Sequence, residues 1–235
     1  MLINKIIVVE GLDKTGKSTF CDAFESIYNN MSVGINKNQL KRFSFPNNST
    51  PIGKKIRDEL SSLNPDKNII NTPNFLADMA HYWMQELFNI HYINNTQTQN
   101  NNINAVSQET GINYIFDRYF ISTLAYQAFY NNSKADLEFI KASLINNKFI
   151  KIPTDLIVFD LPNEKIIERT LIDQNNNLVD NNDTLDITIL DARRKAYKDA
   201  INFLKGMGIN IHWFEDVSIF ETEDLVKVLM GKIFN

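Results

Sequence analysis

The sequence has few of the residues that small proteins use for covalent or metal-based stabilisation. Its single cysteine, Cys21, excludes an internal disulfide and a cysteine-based zinc site. The three histidines, His81, His91 and His212, are scattered along the chain and do not indicate a metal cluster. The net charge of −4 lacks the basic excess that is typical of a nucleic-acid surface. We therefore expect no nucleic-acid partner and no resident structural metal.

Long apolar runs are also missing. No stretch approaches the roughly 18 consecutive apolar residues of a membrane span, and the chain enters a predicted strand at once, without the pattern of a signal peptide. These absences lead us to expect a soluble, cytoplasmic protein with no membrane partner. The length of 235 residues suits a single α/β domain over residues 1–235.

Short apolar runs alternate with helical segments along the chain. The runs are continuous rather than alternating, which is typical of strands buried on both faces of a parallel sheet. We therefore predict a five-stranded parallel sheet with helices on both faces. The predicted strands are residues 3–9, 40–45, 114–116, 156–159 and 209–214. The predicted helices are residues 17–30, 51–63, 72–92, 120–131, 134–146, 164–172, 184–205 and 222–233. Two polar stretches are predicted as an Asn-rich loop insertion, residues 93–104, and as a lid region, about residues 173–183.

Residues 11–18, Gly-Leu-Asp-Lys-Thr-Gly-Lys-Ser, match in full the eight-position pattern of a phosphate-binding loop. Gly11 and Gly16 allow the backbone to fold so that its N–H groups face phosphate oxygens, and the following helix adds partial positive charge. Lys17 can reach the β- and γ-phosphates of a nucleotide, and Ser18 can bind Mg²⁺. A chance glycine turn is the alternative, but the loop's position between a buried strand and a helix favours the phosphate site.

Other candidate residues follow the later strands. In a parallel sheet, ligands bind beyond the carboxyl ends of the strands. Asp117 and Arg118 directly follow the predicted strand 114–116. In a ligand site at this edge, Arg118 would face an anionic group and Asp117 would lie near the metal. The alternative is that the two residues are a surface ion pair. Phe45 and Phe75 could sandwich a base, and plain core packing is the competing interpretation. Arg169 and the polar residues after it form either a closing lid or a solvated loop.

Three blocks of sequence, in the same order, resemble the thymidylate kinase family across nearly the whole chain. The first is the loop with Thr19 added, the second is residues 45–54, Phe-Pro-Asn-Asn-Ser-Thr-Pro-Ile-Gly-Lys, and the third is residues 117–126. Residues 153–161 are similar to the strand that precedes the family's lid. The resemblance implies a P-loop NTPase fold with three α/β/α layers and a short lid. It also implies ATP as phosphate donor, Mg²⁺ as metal and a homodimer.

The resemblance further implies roles for single residues. Asp13 would contact the sugar, Phe45 and Phe75 would border the base, and Ser122 and Tyr126 would line the nucleoside pocket. The residues expected to bind ATP are Gly11, Lys14, Thr15, Gly16, Lys17, Ser18, Thr19 and Arg169. The residues expected to bind the acceptor are Asp13, Phe45, Asn48, Phe75, Arg118, Ser122 and Tyr126. The residues expected to act in catalysis are Lys14, Lys17, Arg118 and Asp117, with Ser18 and Asp117 at the metal.

The chain departs from the family pattern at the acceptor site. Asn48 and Met79 stand where the family has arginines that hold the acceptor phosphate and read the base. Residues 177–180, Asn-Leu-Val-Asp, replace the usual acid-Arg-aromatic-acid run of the lid. The loss of a bidentate, permanently charged donor weakens selectivity for one base. Compensating cations could come from neighbouring segments, and the candidates are Arg42, Lys54 and Arg57.

The resemblance implies ATP-dependent phosphorylation of a deoxynucleoside monophosphate, with dTMP as the favoured acceptor. Another pyrimidine deoxynucleotide (dUMP or dCMP) or a deoxynucleoside is the alternative. A nucleoside acceptor needs a general base, and Asn47 replaces the usual acid of the second block. A GTPase-like switch is disfavoured because no Asn-Lys-x-Asp motif follows a strand, and a non-catalytic module because the loop is intact.

Overall fold

The protein is described here by a computed structural model that covers residues 5–31, 38–47, 50–61, 111–146, 151–176, 183–216 and 221–234. Several sequence predictions lie outside these ranges. They are the helix at 72–92, the Asn-rich stretch at 93–104, most of the lid region, and the roles of Asn48, Phe75 and Met79.

Five strands form one parallel sheet, as predicted. They are β1 (Ile6–Gly11), β2 (Gln39–Ser44), β3 (Ile112–Asp117), β4 (Asp155–Asp160) and β5 (Asn210–Glu215). The spatial order is β2-β3-β1-β4-β5, and every neighbouring pair is parallel. The three inner strands are almost fully buried, whereas β2 and β5 at the edges are partly exposed. The continuous apolar runs of the inner strands are explained by this double burial.

Helices connect the strands and cover both faces of the sheet. In the described ranges they are α1 (Lys17–Met31), α2 (Pro51–Ser61), α3 (Phe120–Thr123), α4 (Lys134–Ile140), α5 (Asn163–Asn175), α6 (Ile187–Leu204) and α7 (Thr222–Phe234). Two π-helical segments, Leu124–Tyr130 and Lys141–Ile145, continue α3 and α4. The side chain of Asp186 caps α6 by accepting from the backbone N–H groups of Thr188 and Ile189. Helix α5 is longer than predicted, so the first residues of the predicted lid region belong to it.

The core lies in two layers, one on each face of the sheet. Val8 of β1 belongs to the layer under α3 and α6, while its neighbours Ile7 and Val9 belong to the layer under α1 and α7. This alternation follows from the two-residue period of a strand. The helices on the two faces and the sheet between them confirm the predicted three-layer α/β/α fold.

In the part of the chain that the structure describes, no helix is both long and apolar enough to cross a membrane.

Candidate active site

The loop between β1 and α1 has the conformation of a phosphate cradle. Gly11 has φ +141°, and a Cβ at this position would collide with the carbonyl oxygen of Phe159 on β4. Gly16 has φ +93°, and Lys14 between them also adopts a positive φ of 62°. Glycine is needed where β1 and β4 approach this closely, and the turned backbone leads directly into the N-terminus of α1. The predicted phosphate loop is therefore present in the fold.

Lys17 is buried inside this loop. Its Nζ donates to the carbonyl oxygen of Leu12 at 2.5 Å and lies 3.5 Å from Thr15 Oγ1. Burial, together with the nearby positive charge of Arg118, lowers the pKa of Lys17 to about 8. The ammonium thus lies inside the loop, against its backbone.

We expect ATP binding to take up protons near pH 8, because a polyphosphate beside Lys17 stabilises the ammonium and raises its pKa. With a pKa of about 8 in the free protein, binding at that pH should take up about half a proton. Titration calorimetry with Mg-ATP in buffers of different ionisation enthalpy measures the uptake. Lys17→Ala should remove it, and equal uptake in that variant would contradict this assignment.

Ser18 and Asp117, the two predicted metal ligands, lie together. Ser18 Oγ donates to Asp117 Oδ2 at 2.6 Å, at the carboxyl end of β3. Within the described ranges, no group of three or more His, Cys, Asp or Glu side chains could hold a metal by itself. One or two protein oxygens beside substrate phosphates are a common arrangement for Mg²⁺. The donor set therefore fits this ion.

Arg118 is held by several polar groups of the site. Its backbone has φ 70°, and its Nη1 donates to Gly11 O at 3.3 Å, to Ser122 Oγ at 3.1 Å and to Tyr197 OH at 2.8 Å. Its Nη2 forms an ion pair with Asp13. Burial opposes ionisation of Asp13, but the combined positive charges of Arg118, Lys17 and Arg193 outweigh it and lower the pKa of Asp13 to about 2. The pair therefore stays charged throughout the physiological pH range.

Lys14 and Arg169 meet at the outer side of the loop. Arg169 Nη1 donates to Lys14 O at 2.8 Å, which brings this α5 arginine to the loop. The ammonium of Lys14 pairs with Asp173 at 2.5 Å and with Asp183 at 3.2 Å. Burial opposes the charge of Lys14, but the hydrogen bond to Asp173 and the charge of Asp183 raise its pKa. Lys14 thus joins the two ends of the predicted lid region.

The second sequence block supplies a core residue and a cation. Phe45 is 4% exposed, and its ring stacks on Phe116 at 5.5 Å, which is the core packing considered above. Arg57 on α2 donates from Nη2 to Pro46 O at 3.4 Å. Arg42, by contrast, pairs with acidic residues of α1. Of the three compensating cations considered, Lys54 belongs to this block, and Arg57 contacts it from outside.

Three site residues were not found from the sequence. Glu10 of β1 is completely buried beneath Arg118, and Tyr197 and Arg193 of α6 face the same region. Arg193 lies 6.0 Å from the ring of Tyr126. Glu10 had a signal, because it stands directly between an apolar strand run and the phosphate loop, where a carboxylate is expected to be buried, and buried glutamates are rare. Arg193 and Tyr197 are four residues apart, which places them on one face of α6. This spacing does not show which other element that face contacts.

The parallel sheet, the phosphate loop and the adjacent Ser18–Asp117 pair define a P-loop nucleotide-binding protein. A family model described as thymidylate kinase matches residues 9–210, and the chain belongs to the thymidylate kinase family. This is a family of nucleoside monophosphate kinases, so the resemblance noted in the sequence is confirmed.

Named relatives agree with this family. The chain is 28% identical to a thymidylate kinase of Francisella tularensis subsp. holarctica over 234 residues, which covers 99% of this chain and 98% of that protein. It is 29% identical to a thymidylate kinase of Buchnera aphidicola subsp. Baizongia pistaciae over 149 residues, and this match spans 63% of the chain and 61% of the relative. The crystal structure of thymidylate kinase from Ehrlichia chaffeensis superposes with a TM-score of 0.54 at 17% identity, covering 96% of this chain and 98% of that one. That likeness supports the fold.

Proposed function

We propose that this chain transfers the γ-phosphate of ATP to a deoxynucleoside monophosphate, with dTMP as the acceptor. The observation that carries the proposal is the Arg118–Asp13 pair, which lies directly beside a complete phosphate loop. The similarity to a relative named thymidylate kinase over 99% of the chain supports dTMP as the acceptor.

The donor would bind in the loop between β1 and α1. Backbone N–H groups, Lys17, Ser18 and Thr19 would surround its phosphates, and Arg169 would contact the bound ATP. Mg²⁺, held through Ser18 and Asp117, would neutralise part of the phosphate charge when bound. An acceptor phosphate is already anionic near neutral pH, so no general base is needed. Catalysis then depends on alignment and on neutralising the transferring charge.

The acceptor would bind on the Arg118 side of the loop. Arg118 has its guanidinium fixed by four partners and would hold the acceptor phosphate. Tyr126 OH is buried and has no hydrogen-bond partner among the described residues, which suits a side chain that lines a ligand pocket. Asp13 would face the sugar, and Lys14 would neutralise the transferring phosphoryl group after exchanging its carboxylate partners for phosphate.

Base and phosphate selectivity would differ from the two-arginine pattern of the family. Asn48 cannot supply a second guanidinium to the acceptor phosphate, and Arg57 beside Pro46 is the proposed substitute. Met79 cannot donate a hydrogen bond to the base, so discrimination between bases would be weaker. We also propose that the chain is cytoplasmic and forms a homodimer, as the family resemblance implies. Light scattering on the purified protein tests the dimer.

The acceptor is tested by kcat/KM for dTMP, dUMP, dCMP, dGMP and thymidine, measured as ADP release. We expect dTMP to lead a broad monophosphate preference and thymidine to be inactive. We expect Asn48→Arg to increase kcat/KM about 10-fold for all monophosphates, since one charge-assisted contact contributes about 1.5–3 kcal/mol. Met79→Arg should shift the preference toward dTMP.

The panel also separates the alternatives. Phosphorylation of thymidine but not of dTMP would show a deoxynucleoside kinase. Strict selectivity of the wild type for dTMP at low micromolar KM would show that other residues compensate for Asn48 and Met79. Wild-type ATP hydrolysis that no acceptor stimulates would contradict the kinase proposal.

A further inference from the structure

Glu10 is a buried carboxylate that the mechanism above does not use. It lies on β1 just before the phosphate loop and is 0% exposed. Its Oε1 accepts from the backbone N–H groups of Tyr119 at 2.8 Å and Ser122 at 3.2 Å. Its Oε2 accepts from Ser122 Oγ at 2.6 Å and from Tyr197 OH at 3.3 Å. Burial raises the pKa of Glu10, against the attraction of Arg118. A buried acid is costly, so its position needs a functional or structural reason.

The two hydroxyls above Glu10 are also the acceptors of Arg118. A hydroxyl has one proton to donate and two lone pairs, whereas an ionised carboxylate only accepts. Ser122 gives its proton to Glu10, and Tyr197 gives its proton to Glu10 or to Ser122 Oγ, which is 2.8 Å away. In either case, the lone pairs of both hydroxyls remain for Arg118 Nη1, at 3.1 and 2.8 Å. The carboxylate thus sets the direction of the hydrogen bonds that reach Arg118.

We propose that Glu10 is a positioning residue for the acceptor phosphate, and that it holds the Arg118 guanidinium in its binding orientation through the hydroxyls of Ser122 and Tyr197. This relay, Glu10–Ser122/Tyr197–Arg118, rests on the proposed function. Glu10 does not exchange protons with substrate, because it is fully buried and both of its oxygens already accept hydrogen bonds.

Glu10→Gln is the sharpest single test. The amide oxygen can still accept from the two backbone N–H groups, but the amide nitrogen presents a donor where Oε2 accepted. The amide would then occupy a lone pair of the hydroxyls of Ser122 and Tyr197, and their protons would lose Oε2 as acceptor. A hydroxyl proton that turns toward the guanidinium takes the place of the lone pair that accepts from Arg118. We expect the acceptor KM and the calorimetric acceptor Kd to rise about 10- to 100-fold. The KM for ATP should stay within about twofold, and thermal stability should change little, since a buried charge is also removed.

The relay itself is tested by a double-mutant cycle. In a Ser122→Ala/Tyr197→Phe background the two hydroxyls are absent, so Glu10→Gln should raise the acceptor Kd by no more than about threefold. If the full 10- to 100-fold penalty persists in that background, Glu10 does not act through the hydroxyls and the relay is wrong. A purely structural role is shown instead if donor and acceptor affinities fall together with thermal stability.

A second variant keeps the test decisive if Glu10→Gln does not fold. Tyr197→Phe should weaken acceptor binding without changing ATP binding. Its matched control is Tyr28→Phe, which removes a buried hydroxyl outside the site. Tyr28 OH donates to Asn38 O at 2.8 Å, which equals the distance between Tyr197 OH and Arg118 Nη1. Equal effects of the two variants on acceptor Kd would overturn the relay. A wild type that binds ATP but phosphorylates no monophosphate would instead refute the proposed function, whereas the relay is judged from acceptor binding by these variants.

Discussion

Lys17→Ala is expected to lower turnover by about 10³-fold or more while the chain stays folded. A loop lysine neutralises charge on the transferring phosphoryl group, and an arginine finger, which acts on the same charge, contributes on the order of 10³–10⁵ to phosphoryl-transfer rates. The side chain is 6% exposed and its ammonium is held by the carbonyl oxygen of Leu12 rather than by a carboxylate. Among the described residues Lys17 forms no salt bridge, and Asp13 keeps its ion pair with Arg118 when the lysine is removed. The fold should therefore tolerate the change.

The measurement is kcat by ADP release together with the thermal midpoint of each variant. Lys195→Ala is the matched control, because Lys195 is 77% exposed on α6 and pairs with Asp199 on the same helix. It should leave kcat and the midpoint nearly unchanged. Near-normal turnover of Lys17→Ala would end the kinase hypothesis, and a loss of folding would show that the lysine is part of the core.

The loop was predictable because its chemistry is local. The glycine spacing, the lysine and the serine all lie within eight positions, and each acts on a ligand that binds the same turn. The sheet was predictable for a similar reason, since double burial leaves continuous apolar runs in the sequence. The pairing of Ser18 with Asp117 needed one further rule, that ligands bind beyond the carboxyl ends of parallel strands.

The limits of strand β1 show where sequence patterns fail. The apolar run predicted a strand over residues 3–9, but the strand is Ile6–Gly11. Its pairing with β3 begins at Ile6 opposite Tyr114. At the other end, the run stops at Val9, whereas the strand continues through Glu10 because Tyr119 and Ser122 satisfy the buried carboxylate. Those partners lie more than one hundred positions away in the sequence.

The α6 residues of the site depend on packing between distant elements. Tyr197 donates toward Glu10 of β1 and accepts from Arg118, which follows β3. Helix α6 follows β4 and α5 in the chain, so its rotation against the loop is set by the fit of the whole layer rather than by its own residues. Sequence periodicity gives the buried face of such a helix, but it does not give the neighbour of that face.

Arg118→Met is expected to lower kcat/KM for the acceptor by about 10³-fold. The guanidinium makes four contacts in the site. One charge-assisted contact contributes about 1.5–3 kcal/mol. The variant loses both the contact with the acceptor phosphate and the alignment of the acceptor, so the total loss of free energy should exceed that of one contact. Arg118→Lys should recover little of the loss, because a single ammonium cannot reach the same partners with the geometry of a planar fork. The Kd for ATP should change far less than the acceptor Kd.

The same variant should lose stability in a pH-dependent way that separates binding from folding. Arg118 is the main attraction that keeps the pKa of Asp13 at about 2, and it also opposes the burial that raises the pKa of Glu10. A depressed carboxylate pKa contributes stability above the unfolded pKa of about 4, and that contribution is lost as the pH falls through the folded pKa of about 2. Without the guanidinium, both carboxylates lose their largest cationic attraction at pH 7 and keep only the weaker attraction of the remaining cations, chiefly Lys17. Protonation relieves them as the pH falls. The difference in thermal midpoint between wild type and Arg118→Met should therefore be larger at pH 7 than at pH 4.5.

Adding Asp13→Asn to Arg118→Met should restore part of the thermal midpoint at pH 7 but none of the acceptor affinity. Recovery of acceptor binding in that double variant would mean that Arg118 acts only as a counter-charge for Asp13 and does not hold the acceptor phosphate.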